Sequence, residues 1–411
     1  MKTEFKNFFI DRRFLVPVII LFVIELILQT SIYKPFLKKN SYASNINRII
    51  GQIIKKKKEH DPDILIVGTS VAYQGLDLKS LQEIINPTGL KIQSVAIPGS
   101  ELIVQDLAVE KVLEEFTNLK LVIYVGEITM PWVSQRILTL PTLAMLGEFD
   151  RSKAIENIIE FEYKAESDYN PNFSFMISQK KYDSIKKHFL FKDVSYADWS
   201  YIIFKSIAYR RDIGDFFTGP SKRIRDYKKS ILFPNENFYD YENKYKQKMS
   251  LYPIHNLENC VKLTHPSENT DPIPKGSDFD HKKAIYDTCA LSLFTTKTQH
   301  RTEETNLYFK RLSSIYKKIQ NKNIKIINIF APYSSIIDEK LGGEGRLQVW
   351  KEELKLLNGE NAEVVDFRNI FTKENSNDYC YDVIHLNREG ALLFSKALGD
   401  YIVKNKERIL K

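Results

Sequence analysis

Few cysteines occur in the chain, and none forms a pattern that indicates a metal site. The 411 residues include three, Cys260, Cys289 and Cys380, with no Cys-x-x-Cys pair and no histidine beside them at ligand spacing. We therefore expect no metal and no cofactor. If the domain lies outside the cytoplasm, Cys260 and Cys289 would be able to form a disulfide, although free thiols are an equal alternative.

The sequence also lacks the features of nucleotide- and nucleic-acid-binding proteins. No glycine-rich phosphate loop of the GxGxxG or GxxxxGK[ST] type is present. Lysine and arginine number 60 against 52 acidic residues, but both signs are mixed along the chain and form no basic stripe. We expect no nucleic-acid partner, and a phosphate-binding doubly wound domain is disfavoured.

One long apolar run lies near the N-terminus. Residues 14–32 read FLVPVIILFVIELILQTSI, and at about 1.5 Å per residue they approach the roughly 30 Å hydrocarbon thickness of a bilayer. We expect a transmembrane signal anchor over 14–32, between an N-terminal tail, 1–13, and a basic stem, 33–62. A cleaved signal peptide is the alternative, but the run is long for one and no clear cleavage site follows it. Glu25 is costly inside such a run unless it stays protonated, reaches a headgroup or meets a partner helix.

Short β-branched runs alternate with helical patterns on both sides of a long interruption. They predict strands at 63–68, 91–97, 120–125, 324–331 and 362–367. Such alternation is typical of α/β proteins with a doubly wound parallel sheet. We expect about five strands, built by residues 63–130 and 302–411, with residues 131–301 as a large helical or irregular insertion.

Candidate catalytic residues follow the predicted strands, where functional groups gather in open parallel sheets. A serine hydroxyl is a weak nucleophile that needs a base, and the base needs a third group to fix its tautomer. Asp382 and His385 are separated by two residues, so the carboxylate can accept from one imidazole nitrogen while the other faces Ser70. The sequence therefore predicts a catalytic triad of Ser70, Asp382 and His385, with backbone N–H groups of Ser70 and Gly99 as oxyanion donors.

These motifs resemble the sequence blocks of the SGNH (GDSL-like) hydrolase superfamily. Residues 68–70 (Gly-Thr-Ser) are similar to the first block, GDS, Gly99 is similar to the glycine of the second, and residues 382–385 (Asp-Val-Ile-His) match the DxxH of the last. The blocks fall in the family order. The resemblance implies an SGNH/flavodoxin-like fold and covers about 65–130 and 300–405.

The chain departs from the family pattern in two blocks. Thr69 replaces the aspartate of the first block, which is not a triad member. In the third block the family often has Gly-x-Asn, whose asparagine donates to the oxyanion, but this chain has Gly126-Glu127-Ile128. Glu127 is therefore a candidate for the substrate-binding or oxyanion side of the site.

An N-terminal anchor before an SGNH domain is similar to the membrane-anchored proteins of envelope polysaccharide O-acylation. The resemblance implies an acyl group carried on Ser70 and either passed to a carbohydrate hydroxyl or hydrolysed. It also implies attachment to the lipid bilayer, a multi-span membrane O-acyltransferase as partner and a catalytic domain outside the cytoplasm. The alternative is a catalytically idle SGNH-fold protein that binds polysaccharide or scaffolds an acylation complex.

Overall fold

The fold is known from a computed structural model, which describes the chain except for parts of its termini and of its central region. The described residues are 11–39, 41–126, 136–147, 200–201, 203–232, 241–256, 258–260, 272–294, 303–340, 344–358 and 363–410. Glu127 and about half of the insertion therefore lie outside the described residues.

Five parallel strands form the sheet. They are β1 (Ile64–Val67), β2 (Ile92–Ser94), β3 (Leu121–Gly126), β4 (Lys325–Phe330) and β5 (Glu363–Asp366). Their order is β2-β1-β3-β4-β5, and every neighbouring pair is parallel. This is the 2-1-3-4-5 order of flavodoxin-like doubly wound folds, so the prediction of an α/β fold with about five parallel strands is confirmed.

Helices connect and cover the strands. The α-helices of the described residues are α1 (Arg12–Gln29), α2 (Tyr42–Asn47), α3 (Lys57–His60), α4 (Ser70–Gly75), α5 (Leu78–Ile85), α6 (Leu102–Glu115), α7 (Arg136–Leu146), α8 (Lys205–Ala208), α9 (Arg210–Thr218), α10 (Pro220–Leu232), α11 (Phe279–Phe294), α12 (Glu303–Gln320), α13 (Ser335–Lys340), α14 (Glu344–Asn358), α15 (Ser376–Tyr379) and α16 (Arg388–Leu410). Helix α5 packs against α16, and α6 packs against α12.

The sequence forms this sheet because its central strands are apolar on both faces. All residues of β1 and β3 are buried, as expected for parallel strands covered on both sides. Strands β3 and β4 pair along their whole length, from Leu121↔Lys325 to Gly126↔Phe330. The insertion therefore belongs to the crossover between two adjacent strands, and its described parts contain α7 to α11 and no strand.

The transmembrane anchor expected over 14–32 is not found. None of the helices in the described ranges combines the length and the apolar character needed to cross a membrane. The helix that forms there, α1, ends at Gln29 and carries Arg12, Arg13 and Glu25 within its 18 residues. Arg12 and Arg13 lie in this helix just before the apolar run, and Glu25 lies inside the run.

Glu25 meets a helix of its own chain. Its carboxylate accepts hydrogen bonds from the backbone N–H groups of Lys205 (2.8 Å) and Ser206 (3.0 Å), which begin α8. A carboxylate at a helix N-terminus satisfies unpaired donors and is favoured by the helix dipole. Glu25 therefore fastens α1 to the insertion.

A disulfide joins two described segments of the insertion. Cys260 and Cys289 are bonded to each other, with 5.3 Å between their Cα atoms. Cys380 is a buried free thiol. Of the two alternatives that the sequence left open, the structure has the disulfide.

Candidate active site

The turn after β1 presents Ser70 at the start of α4. Position 68 in this turn requires glycine, because a Cβ atom there would lie 2.8 Å from the Cβ atom of Ala72, closer than real Cβ contacts allow. Thr69 caps α4, and its hydroxyl accepts from the N–H of Val71 at 3.3 Å. Ser70 is the first residue of the helix and stays partly exposed. Thr69 therefore has a structural role as the helix cap.

The loop from 380 to 386 holds Asp382 and His385. An antiparallel bridge closes the ends of this loop, and the N–H of Tyr381 donates to the carbonyl of His385 at 2.8 Å. One carboxylate oxygen of Asp382 accepts from the N–H groups of Ile384 (2.9 Å) and His385 (2.8 Å). Only 2% of Asp382 is exposed. The loop thus fixes the carboxylate through its own backbone.

The three predicted residues form one hydrogen-bonded chain. Asp382 contacts Nδ1 of His385 through both oxygens, at 2.8 and 3.0 Å, and Nε2 of His385 lies 2.8 Å from Oγ of Ser70. An ionised carboxylate only accepts hydrogen bonds, so Nδ1 carries the proton and Nε2 accepts a hydrogen bond from the serine hydroxyl. This arrangement is able to remove a proton from Ser70 as its oxygen attacks a carbonyl carbon.

The loop after β2 brings Gly99 to the same edge of the sheet. The N–H of Ile97 donates to the carbonyl of Gly68 at 3.1 Å, and the N–H of Ser100 donates back to Ile97 at 3.1 Å, which closes a tight turn. Gly99 has φ +68° in this turn, a conformation that favours glycine. No described residue accepts the N–H of Ser70 or Gly99, so both remain available as oxyanion donors.

A segment of the insertion ties the two halves of the site together. The side chain of Asn243 donates to the carbonyl of Gln74 in α4 (2.7 Å) and to the carbonyl of Leu386 beside His385 (2.9 Å). Asn243 is 1% exposed. The sequence did not single out this residue, because its surroundings read as an Asn- and Tyr-rich loop without periodicity. Asn243 therefore holds the serine helix and the histidine loop at a fixed separation.

A buried histidine packs against the same loop. His281 stacks on Tyr381, with 4.6 Å between ring centroids, and its Nε2 lies 2.7 Å from the Tyr381 carbonyl oxygen. Its Nδ1 lies 2.8 Å from Oγ of Ser277, which contacts the hydroxyl of Tyr252 at 2.7 Å. Burial lowers the pKa of His281, so the ring is neutral and Nε2–H donates to Tyr381. Sequence reasoning missed this role, since His281 precedes the loop by about a hundred residues.

Comparison with known proteins assigns the chain to no family. No protein-family model matches the chain, and no curated protein matches it. The structural observations that bear on function are therefore the geometry of the site and the topology of the sheet. Among the described residues, no group of His, Cys, Asp and Glu side chains is placed to hold a metal ion.

Proposed function

We propose that the chain is an SGNH-type serine acyltransferase or esterase that works through an acyl-serine intermediate. The observation that carries this proposal is the continuous chain of hydrogen bonds from Asp382 through His385 to Ser70. The flavodoxin-like strand order and the position of these residues at the carboxyl ends of the strands support it.

The proposed reaction has two steps. Oγ of Ser70 attacks the ester carbonyl while Nε2 of His385 takes its proton, and Asp382 stabilises the imidazolium that forms. The N–H groups of Ser70 and Gly99 stabilise the oxyanion. The alcohol then leaves with the proton from His385, and water or a sugar hydroxyl attacks the acyl-serine by the reverse sequence. Transfer and hydrolysis differ only in which hydroxyl attacks.

The substrate we propose is an O-acyl group of a cell-envelope polysaccharide, and the partner is a multi-span membrane O-acyltransferase. Both come from the resemblance to envelope acylation proteins. The disulfide supports a catalytic domain outside the cytoplasm, because disulfides persist in oxidising compartments.

Attachment to a lipid bilayer is part of the proposal. Apolar side chains around α1 are exposed, with Leu21 65% and Phe22 63% accessible. An apolar surface of this extent is unusual on a monomer in water and is typical of lipid or protein contact. Flotation of the full chain with liposomes, compared for wild type and a Leu21→Glu/Phe22→Glu variant, measures this contact. Equal flotation of both proteins would contradict it.

Turnover of an aryl acetate tests the enzymatic proposal. We expect the full-length wild type to release the aryl alcohol and Ser70→Ala to lose about 10³-fold or more of kcat, since the nucleophile is absent. Ser80→Ala, outside the site, is the matched control and should keep wild-type activity. A fluorophosphonate should label Ser70, identified by mass spectrometry of the peptide. Equal turnover by wild type and Ser70→Ala would favour the catalytically idle alternative.

A further inference from the structure

A cavity of about 460 Å³ lies beside the candidate active site. Gly99, whose N–H is one of the two proposed oxyanion donors, is one of its lining residues, together with Pro98 of the same loop. The remaining walls come from the segment after α1, from α7 and from α8 and α9 of the insertion. The volume falls within the range of small-molecule sites, which is roughly 300–1,000 Å³.

Much of the cavity wall is apolar. The side chains that provide this surface are Ala43, Pro98, Pro141, Met145, Ala208 and Tyr209. A wall of this kind binds hydrocarbon or ring carbons and excludes water from them. The cavity is therefore suited to the apolar part of a ligand.

The acidic groups of the cavity are already neutralised. Arg223 lies 3.3 Å from both oxygens of Asp212, which also accepts from the backbone N–H of Lys38 (3.2 Å). The ammonium group of Lys38 pairs with Asp215 at 3.5 Å. These contacts leave neither carboxylate as an uncompensated negative charge in the cavity.

Two arginines in the same wall have no such partner. Arg210 lies over the ring of Tyr201, with its guanidinium carbon 5.5 Å from the centroid, and neither Arg210 nor Arg211 forms an ion pair with a described residue. Both are exposed. Arg211 is near Tyr42, whose pKa is raised by burial and by the Glu101 carboxylate and lowered in part by Arg211. The cavity therefore combines an apolar wall with two uncompensated positive charges.

The cavity also adjoins the apolar N-terminal segment. The ring of Tyr33, just after α1, contacts the ring of the cavity residue Tyr209, with 5.1 Å between centroids. Glu25 of α1 holds the start of α8, three residues before the cavity residue Ala208. A ligand that reaches the cavity from a lipid surface would therefore follow the segment that exposes apolar side chains.

We propose that this cavity binds an anionic amphiphile, whose apolar part lies against the Met145 side and whose phosphate or carboxylate is bound by Arg210 and Arg211. That this ligand also carries an acyl ester for attack by Ser70 rests on the proposed function. Its binding in the cavity does not. Arginine forms bidentate hydrogen bonds with phosphate and carboxylate groups, which makes it the side chain suited to this role.

Direct binding to the full chain tests the proposal. Calorimetric titrations with hexyl phosphate, hexyl glucoside and inorganic phosphate separate the amphiphile from its neutral counterpart and from a free anion. We expect hexyl phosphate to bind about tenfold or more tightly than either comparison ligand, because only it uses both the apolar wall and the arginines. The double variant Arg210→Gln/Arg211→Gln should lose about tenfold of this affinity, and Arg225→Gln, an exposed arginine outside the cavity, should lose none.

Any one of three binding results would overturn the proposal. If inorganic phosphate binds as tightly as hexyl phosphate, the arginines form only a free-anion site. If hexyl glucoside binds as tightly as hexyl phosphate, or if the arginine substitutions leave the affinity for hexyl phosphate unchanged, the anion is not recognised. Ser70→Ala should bind hexyl phosphate like wild type. Arginine-dependent binding without Ser70-dependent turnover would overturn only the proposed function, and turnover without binding would overturn only the cavity proposal.

Discussion

At the scale of single residues, the site depends on side chains that are satisfied by their own surroundings. Asp382 accepts two backbone N–H groups of its loop in addition to the imidazole N–H of His385. Because these donors are fixed, the carboxylate cannot turn away when His385 changes protonation state. The proposed base is therefore preorganised before substrate binds.

Replacing the carboxylate by an amide tests this role. In Asp382→Asn, the amide NH₂ can donate to Nδ1 of His385. This favours the tautomer that carries its proton on Nε2, and a protonated Nε2 cannot accept the proton of Ser70. We expect kcat for an aryl acetate to fall by about 10³- to 10⁴-fold with little change in the unfolding midpoint. Asp378→Asn is the matched control, since Asp378 binds Ser250 outside the triad. Unchanged kcat in Asp382→Asn would contradict the triad.

His281 should make stability depend on pH. Its pKa is lowered from the ordinary value of 6.5 by burial, so below pH 6.5 the unfolded chain binds a proton that the folded one does not. The contribution of His281 to the free energy of unfolding is complete above pH 6.5 and is lost as the pH falls towards its folded-state pKa. The free energy of unfolding falls by no more than about 1.4 kcal/mol per pH unit in this range.

Urea unfolding of wild type and His281→Gln at pH 7.5 and 5.5 measures this effect. We expect the variant to be less stable at pH 7.5 by about 1–3 kcal/mol, because buried hydrogen bonds are lost, and the difference to narrow at pH 5.5. His255→Gln, at an exposed histidine, should track wild type at both pH values. A difference that widens at pH 5.5 would show that His281 is not held neutral.

At the scale of elements, two helical glycines predict opposite responses to the same substitution. A Cβ atom on Gly399 of α16 would lie 2.6 Å from Cγ2 of Ile84 in α5, whereas one on Gly214 of α9 meets nothing within 4 Å. Alanine is favoured over glycine in a helix by about 1 kcal/mol. At Gly399 the steric clash should therefore cost more than the gain in helix propensity. At Gly214 the gain should be kept.

Unfolding midpoints of the two variants check this contrast. Gly399→Ala should lower the free energy of unfolding by about 1–3 kcal/mol, because α16 must move away from α5. Gly214→Ala should raise it by about 0.5–1 kcal/mol. Stabilisation of both variants would mean that the packing of α16 on α5 is looser than the structure has it.

Elements with a strong local signal were predicted from sequence, and elements fixed by distant contacts were not. Strands β1, β3 and β4 formed within a few residues of their predicted bounds because they are rich in β-branched residues and almost entirely buried. The spacing of Asp382 and His385 is a local property of one loop. Asn243 carries no such signal, since its partners lie in two distant segments. The membrane span expected at 14–32 is not found among the described helices. The contact of Glu25 with the start of α8, far along the chain, likewise has no local sequence signal.

At the scale of the whole molecule, the insertion is part of the candidate site. Its segments supply Asn243, which joins α4 to the histidine loop, and His281, which supports that loop from α11. The disulfide binds Cys289 of the same helix to Cys260. Loss of order in this region should therefore reduce both stability and activity.

Removal of the disulfide tests this coupling. The bond closes a loop with a sequence separation of 29 residues, and closure of a loop of that length restricts the unfolded chain by about 3–4 kcal/mol. We expect Cys260→Ser/Cys289→Ser to lose about that much stability in urea unfolding and to show lower aryl acetate turnover, because α11 carries His281. Cys380→Ala, which removes only the free thiol, should remain sensitive to reductant, whereas the double variant should not. An unfolding midpoint of wild type that is unchanged by reductant would mean that the crosslink does not stabilise the fold, and the argument for an oxidising compartment would fall with it.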